Sequence, residues 1–217
     1  MSAHPYNPLA IENLGKSITE ALLEQPLSAL PPASFIGAGV YVIYYAGPHP
    51  LYQREATEHI PIYVGKAVAK GARKGLITIT GKTESRALYD RLGEHAESIA
   101  VGADLDLADF SCRHLTVDAI WIPLGESLLI NMFSPIWNVK VDGFGNHDPG
   151  GGRKGQKKSQ WDILHPGRVW AEKLTGIGET YEEVIAKLTN PDRPKTKNPR
   201  KPSAKKQSDA SDDLPVD

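Results

Sequence analysis

Apolar residues recur every three to four positions in some segments of this chain, and that spacing predicts helices there. Leu14, Ile18 and Leu22 follow it ahead of Pro26, so one amphipathic helix is predicted near the N-terminus. A second helix is predicted over residues 82–100, which carry apolar side chains on one face and polar side chains on the other. The apolar positions of that face are Leu88, Leu92, Ala96 and Ile99.

Other segments are short and rich in Val, Ile and Tyr, a composition that predicts strands. The first two are GVYVIYY, residues 39–45, and IPIYVGK, residues 60–66, and we expect them to pair antiparallel. Tyr41 and Tyr63 would then lie on neighbouring strands. A third strand is predicted in the FSCRHLTV segment, residues 110–117.

The remaining elements complete a prediction of the fold class. Pro123 suits the first turn of a helix that continues through GESLLINMF until Ser134 and Pro135 end it. A last helix is predicted over residues 180–188, and residues 47–59 predict a polar surface loop. Together these elements predict an α+β fold in which a small antiparallel three-stranded β-sheet is flanked by helices.

The amino-acid composition divides the chain into three predicted regions. We expect an N-terminal helical extension over residues 1–30, a main domain over residues 31–190, and a disordered tail over residues 191–217. The tail is basic and then acidic and has almost no apolar residues, so burial cannot offset the entropy lost on ordering it. Inside the main domain, residues 142–168 are rich in glycine, lysine and arginine and predict a long functional loop.

Charge and cysteine content narrow the functional classes. The 217-residue chain has a formal net charge of −1, so a nucleic acid would have to be bound by local clusters of Lys and Arg. Cys112 is the single cysteine, which excludes an internal disulfide and fits a reducing compartment. No apolar run approaches the ~18 residues of a membrane span, and the N-terminus lacks the blocks of a signal peptide. A cytoplasmic protein is therefore expected.

Two tripeptides on the first two predicted strands carry a resemblance. Gly39-Val40-Tyr41 and Tyr63-Val64-Gly65 resemble the paired elements of the GIY-YIG nucleases. Arg91 on a helix, Glu126 near a helix start and Asn138 after that helix follow in the order typical of this superfamily. The resemblance implies the GIY-YIG nuclease fold and a nuclease activity.

Longer stretches resemble one branch of that superfamily, the type II restriction endonucleases that cut the palindrome CCGCGG. The resemblance covers nearly everything from Leu30 to Gly176, and His95, four residues after Arg91, is a mark of this branch. The stretches are IPIYVGKA, VDGFGNHDPGGGR, WDILHPGR and WAEKLTG. Double-stranded DNA is then the expected substrate, a homodimer the expected assembly on a two-fold site, and a cognate DNA methyltransferase the expected companion.

Phosphodiester hydrolysis gives the motif residues chemical roles. Tyr41 would act as the base, but a phenol with a pKa near ~10 is only about 0.1% ionised at neutral pH. It therefore needs either a lowered pKa or a proton relay, and His95 could serve as the relay. Arg91 would stabilise transition-state charge with its planar fork, and it shares a helix face with His95 at i, i+4 spacing. Tyr63 would orient the nucleophile or the phosphate.

The metal and its neighbours complete the predicted site. Glu126 would hold one hard divalent cation, Mg²⁺, for which Mn²⁺ is expected to substitute. Asn138 would position a phosphate or a metal-bound water, and Lys66 is a further candidate phosphate contact. Each residue alone has a simpler interpretation: packed strand tyrosines, a solvated Arg91 and His95 face, a helix-dipole role for Glu126 and a turn role for Asn138.

DNA contacts are predicted mainly in residues 142–168. Arg153 and Arg168 are candidate readers of guanine, although for each of them a phosphate contact is the simpler and favoured interpretation. The lysines expected to contact phosphates are Lys154, Lys157 and Lys158. Arg73 and Lys74 predict another phosphate-contacting loop. Two rival functions remain at this stage: a GIY-YIG nuclease of the repair or homing type, and an inactive DNA-binding module.

Overall fold

A four-stranded antiparallel sheet is the centre of the fold in the computed structural model, which describes Asn7, residues 10–69 and residues 85–189. The strands are β1 (Ser28–Ala29), β2 (Gly39–Tyr45), β3 (Tyr63–Ala67) and β4 (Phe110–Thr116). They lie in the order β1-β4-β2-β3. The three predicted strands are present as β2, β3 and β4. The predicted number of strands was wrong, because the sheet has a fourth strand, β1, whose two residues pair with Cys112 and Ser111. So short a strand has no periodicity that could reveal it.

Helices cover both sides of this sheet. Those of the described residues are α1 (Ile11–Leu23), α2 (Gln53–Glu58), α3 (Ala87–Ala100), α4 (Ile122–Phe133), α5 (Ile136–Val139), α6 (Gln160–Leu164), α7 (Val169–Glu172) and α8 (Tyr181–Thr189). The four longer predicted helices correspond to α1, α3, α4 and α8. The predicted start of α3, over residues 82–84, lies outside the described residues. Among the described residues, no helix has the length and apolar character needed to cross a membrane.

Residues 47–59 form helical turns instead of the predicted open loop. Pro50–Tyr52 is a 3-10 turn capped by the His49 side chain, and α2 follows it directly. The Tyr52 side chain is fully buried and packs edge-on against Trp137, with ring centroids 5.5 Å apart. Tyr52 is thus buried within a segment whose polar character predicted a surface loop.

Side chains of β2 alternate between two cores, and this alternation positions the candidate site. Tyr41, Ile43 and Tyr45 belong to a core shared with α3. Val40 and Val42 belong to a second core shared with α1 and α4. Because both faces are covered, β2 is apolar throughout, as its sequence predicted.

The N-terminal helix packs on its own domain. Leu22 of α1 is fully buried in the core that α4 also lines. Arg113 of β4 donates hydrogen bonds to the carbonyl oxygens of Leu23 and Gln25, just where α1 ends. The helix is therefore part of the structure that supports β2 and β4.

Candidate active site

A hydrogen bond between two buried side chains forms the centre of the site. The Tyr41 hydroxyl lies 2.6 Å from His95 Nε2, which brings the middle of β2 to the middle of α3. Tyr41 is fully buried and His95 is 1% exposed. His95 faces inward because it is in register with Leu88, Leu92 and Ile99 on the buried face of α3.

Aromatic rings enclose this pair on two sides. Tyr63 of β3 contacts both members, with ring centroids 6.3 Å from Tyr41 and 5.2 Å from His95. Phe144 stacks on the His95 ring at 4.5 Å and meets the Tyr63 ring edge-on at 4.8 Å. Phe144 had no predicted role, although it lies within the quoted VDGFGNHDPGGGR stretch.

Gly65, the last residue of the second tripeptide, has to be a glycine because of its position beside Tyr41. It lies directly opposite Tyr41 in the β2–β3 register, on the side where the tyrosine ring lies. A Cβ atom at this position would be 2.3 Å from the Tyr41 hydroxyl oxygen, far inside van der Waals contact. Only glycine lets the Tyr41 ring cross β3 and reach His95.

Burial determines the protonation states of the pair. It raises the pKa of Tyr41 well above its ordinary value; the nearby Tyr63 phenol raises it further, and the Arg91 guanidinium opposes the shift. Burial also lowers the pKa of His95 well below its ordinary value, and the Arg91 charge adds to that effect. At neutral pH the pair is therefore a neutral phenol hydrogen-bonded to a neutral imidazole.

Arg91 lies next to this pair but is engaged by the loop that follows α5. Its Nη2 donates to the Gly145 carbonyl oxygen at 2.8 Å, and its Nη1 contacts the His147 ring and Glu94 Oε2, the latter at 2.8 Å. His147 and Glu94 have exposed side chains. The guanidinium therefore has partners that a phosphate could replace from the solvent side.

Glu126 and Lys66 form an ion pair near the tyrosines. Lys66 Nζ lies 2.5 Å from Glu126 Oε2, and the two side chains are 38% and 21% exposed. Burial is the main cause of the raised pKa of Tyr63, and the Glu126 charge contributes to it, as it does for Tyr41. Glu126 is the fifth residue of α4, beyond its first turn, so a helix-dipole role does not explain it.

Asn138 contacts the backbone of β3. Its Nδ2 donates to the Val64 carbonyl oxygen and its Oδ1 accepts from the Val64 N–H, both at 2.8 Å. The amide thus pairs with the open edge of β3 between Tyr63 and Gly65. In the free chain Asn138 therefore positions this strand, and the phosphate or water contact stays a prediction.

Part of the predicted DNA-contacting loop forms regular structure. Gly151–Arg153 forms a 3-10 turn and α6 lies within the segment. Arg153, Lys154 and Lys157 are exposed, whereas Lys158 pairs with Glu172 at 2.7 Å. A cavity of about 340 Å³ lies here, with Arg153 and Lys157 among its lining residues.

Arg168 is an internal support of this segment. Its side chain is 3% exposed, and its Nε donates to Asp162 Oδ1 at 2.7 Å. The guanidinium also donates to the carbonyl oxygens of Gly143, Phe144 and Asn146. These bonds leave it no free fork for a guanine or a phosphate, so the structure does not support the predicted DNA contact. Arg73 and Lys74 lie outside the described residues.

Comparison with known protein families identifies the family of this chain. A family model described as the Eco29kI GIY-YIG domain matches residues 33–190, which is more than half of the 217 residues. The matched range contains Tyr41, Tyr63, Arg91, His95 and Glu126. A search of curated proteins found no match. The chain therefore belongs to the Eco29kI GIY-YIG family of restriction endonucleases, which are nucleases that act on DNA.

Proposed function

We propose that this chain is a type II restriction endonuclease that cuts both strands of a short palindromic DNA site, CCGCGG, with one Mg²⁺ per active site. The observation that carries the proposal is the buried Tyr41–His95 hydrogen bond of 2.6 Å, with Arg91 and Glu126 beside it. This arrangement supplies a proton acceptor, a permanent cation and a carboxylate, which are the groups that phosphodiester hydrolysis requires.

Proton transfer begins at the attacking water. The water gives a proton to Tyr41 Oη while the phenol gives its own proton to His95 Nε2. Because burial raises the pKa of Tyr41, the phenol is not ionised before the reaction. The hydrogen bond to His95 supports a proton relay instead. The low pKa of His95 keeps its Nε2 available as an acceptor at neutral pH.

Arg91 stabilises the negative charge that develops on the phosphate. To do so it exchanges the Gly145 carbonyl oxygen and the His147 ring for phosphate oxygens. Tyr41 is fully buried, so water also reaches it only after the residues around Gly145 move. Binding of DNA therefore accompanies an opening of this loop.

Glu126 would hold the metal. Its partly exposed carboxylate is a hard oxygen ligand, which suits Mg²⁺, a cation that keeps several waters. Within residues 10–69 and 85–189, Glu126 does not belong to a group of three potential His, Cys, Asp or Glu ligands, which fits a cation held by one carboxylate, water and phosphate. When bound, Mg²⁺ supplies charge neutralisation at the scissile phosphate and the leaving 3′-oxygen, and Mn²⁺ would substitute. Lys66 releases Glu126 and becomes a phosphate contact.

A palindromic site presents two equivalent strands, and one chain offers one such centre. We therefore propose a two-fold homodimer on the DNA. The exposed side chains of Arg153, Lys154 and Lys157 support an interaction with DNA through the 142–168 segment. Host DNA would need protection, so a methyltransferase that modifies the same site is the expected functional companion.

Digestion of a mixed-sequence plasmid with Mg²⁺, followed by sequencing of the new ends, tests this function. The expected result is a set of discrete fragments whose ends all map to CCGCGG. Fragments whose ends map to another short motif would refute the CCGCGG specificity but still support a type II restriction endonuclease. If intact duplex stays uncut while branched DNA is cleaved, the chain is a repair-type nuclease. If the chain binds DNA but does not cleave it in Mg²⁺ or Mn²⁺, it is an inactive DNA-binding module. The control is Glu126→Gln, which should bind the site in Ca²⁺ yet leave it uncut.

A further inference from the structure

A second cluster of metal-ligand residues lies at the far end of β2 from Tyr41. His49 follows β2, Asp104 lies in the turn after α3, and His165 ends α6, so three separate segments meet there. The His49 N–H donates to the Tyr45 hydroxyl at 2.9 Å, which fixes the cluster to the end of β2. Tyr45 is four residues from Tyr41, roughly 13 Å along an extended strand.

The ligand atoms of this cluster are already close together. One imidazole nitrogen from each histidine and a carboxylate oxygen of Asp104 lie within 4.8 Å of one another. His49 Nε2 is 3.1 Å from Asp104 Oδ2, and His165 Nδ1 is 2.8 Å from Asp104 Oδ1. Ligands at about 2.0–2.1 Å from a tetrahedral Zn²⁺ are roughly 3.3 Å apart, so small side-chain movements would suffice.

The surroundings of His165 resemble those of a metal-bound histidine. Its side chain is fully buried, and its second ring nitrogen, Nε2, lies 2.5 Å from the Tyr52 hydroxyl. A hydrogen bond at the non-ligating nitrogen fixes the tautomer and ring orientation, as is usual for histidines that bind metals. Binding at Nδ1 leaves the Nε2–H to donate to Tyr52.

His49 and Asp104 leave one side of the cluster open. Their side chains are 15% and 38% exposed, so a water can complete the coordination. A neutral His49 that binds through Nε2 carries its proton on Nδ1. The contact from the Leu51 N–H to this Nδ1 is 3.3 Å long and would open at small cost.

We propose that His49 Nε2, Asp104 and His165 Nδ1, together with a water, bind a Zn²⁺ that stabilises the fold, separate from the metal proposed at Glu126. Two imidazoles and a carboxylate suit Zn²⁺, whereas the lone carboxylate of Glu126 suits Mg²⁺. The ion would join the ends of β2, α3 and α6 to one another. Through Trp137, which contacts both His165 and Phe144, it also supports the ring that stacks on His95.

Titration of the full-length chain with Zn²⁺ after removal of metals by a chelator tests this site. The expected results are binding of one Zn²⁺ per chain by calorimetry and a rise in the thermal unfolding temperature. Co²⁺ in place of Zn²⁺ should give the strong visible absorption of a four-coordinate site. Asp104→Asn and His49→Gln change partly exposed side chains and should each weaken Zn²⁺ binding by about tenfold or more.

Two control variants locate the bound ion. His59→Asn changes an exposed histidine with a left-handed backbone that asparagine tolerates, and it should leave Zn²⁺ affinity unchanged. Glu126→Gln removes the proposed catalytic ligand and should also leave that affinity unchanged. Absence of stoichiometric binding would overturn the proposal, as would equal affinity in the Asp104→Asn and His49→Gln variants or loss of binding in Glu126→Gln.

Discussion

Replacing Tyr41 with phenylalanine removes one oxygen atom from the centre of the site and keeps the packed ring. The lost hydroxyl is the 2.6 Å partner of His95 Nε2, which is buried and would be left without a hydrogen bond. An unsatisfied buried acceptor costs roughly 1–3 kcal/mol, so Tyr41→Phe should lower the free energy of unfolding by about that amount. Loss of general base catalysis should slow DNA cleavage by about 10²–10⁴-fold.

Two substitutions of His95 separate hydrogen bonding from proton acceptance. His95→Gln keeps an amide oxygen that can accept from the Tyr41 hydroxyl, but this oxygen cannot take up a proton at neutral pH. We expect it to keep most of the stability and lose the activity. His95→Leu has no acceptor, leaves the buried hydroxyl unpaired, and should lose both.

The double variant Tyr41→Phe/His95→Leu tests whether the two residues act as one unit. Its cleavage rate should be no lower than that of either single variant, because a broken relay cannot be broken twice. Its loss of unfolding free energy should be smaller than the sum of the two single losses by about 0.5–1.5 kcal/mol, the usual net value of one hydrogen bond. The assays are single-turnover cleavage of a duplex carrying the site, and urea unfolding. A Tyr41→Phe variant that cuts at the unaltered rate would refute the relay, as would multiplicative losses in the double variant.

Three further predictions concern the groups around the relay. Asn138→Asp sets a carboxylate oxygen against the Val64 carbonyl oxygen and should cost about 1–3 kcal/mol in urea unfolding, with a matching fall in activity. In metal-free buffer, the unfolding free energy should fall as the pH drops below about 6.5, by up to about 1.4 kcal/mol per pH unit for each neutral buried histidine. Burial lowers the pKa of both His95 and His165, so the unfolded chain takes up protons first, and His95→Gln should make a pH series of urea titrations less steep. Arg168→Lys keeps the charge but loses the planar fork, so it should destabilise the fold by roughly 1.5–3 kcal/mol; unchanged thermal unfolding with weaker DNA binding would contradict this.

The sequence predicted the sheet because its strands are simple in pattern. GVYVIYY is apolar throughout because α3 packs on one face of β2 and α1 and α4 pack on the other. The antiparallel pairing of β2 and β3 was also predicted, and it brings Tyr41 opposite Gly65. Residues 47–59 were mistaken for a loop because burial of Tyr52 depends on partners far along the chain, such as Trp137.

Residue types in the candidate site were easier to predict than their contacts. The need of the Tyr41 phenol for a proton acceptor predicted His95 as its partner, and the structure has the two side chains hydrogen-bonded. Asn138 and Arg168 were given polar roles toward DNA, but the structure uses their donors on Val64 and on the backbone of the 143–146 segment. A side chain with several donors satisfies whichever acceptors the folded chain leaves open, and local sequence does not contain that information.

The ion pair between Lys66 and Glu126 has a charge balance that suits exchange. In the free chain the ammonium compensates a carboxylate that is only 21% exposed. A divalent cation at Glu126 brings more charge than the carboxylate can offset, and a DNA phosphate brings a further negative charge. Lys66 can then exchange Glu126 for that phosphate, and neither Lys66 nor Glu126 is left as an unpaired charge. An unpaired charge in a half-buried site would be destabilising. The same reasoning applies to Arg91, whose Gly145 and His147 partners are neutral or exposed and therefore cheap to exchange. In the proposed mechanism a phosphate would replace the Glu126 contact of Lys66 and the Gly145 and His147 contacts of Arg91.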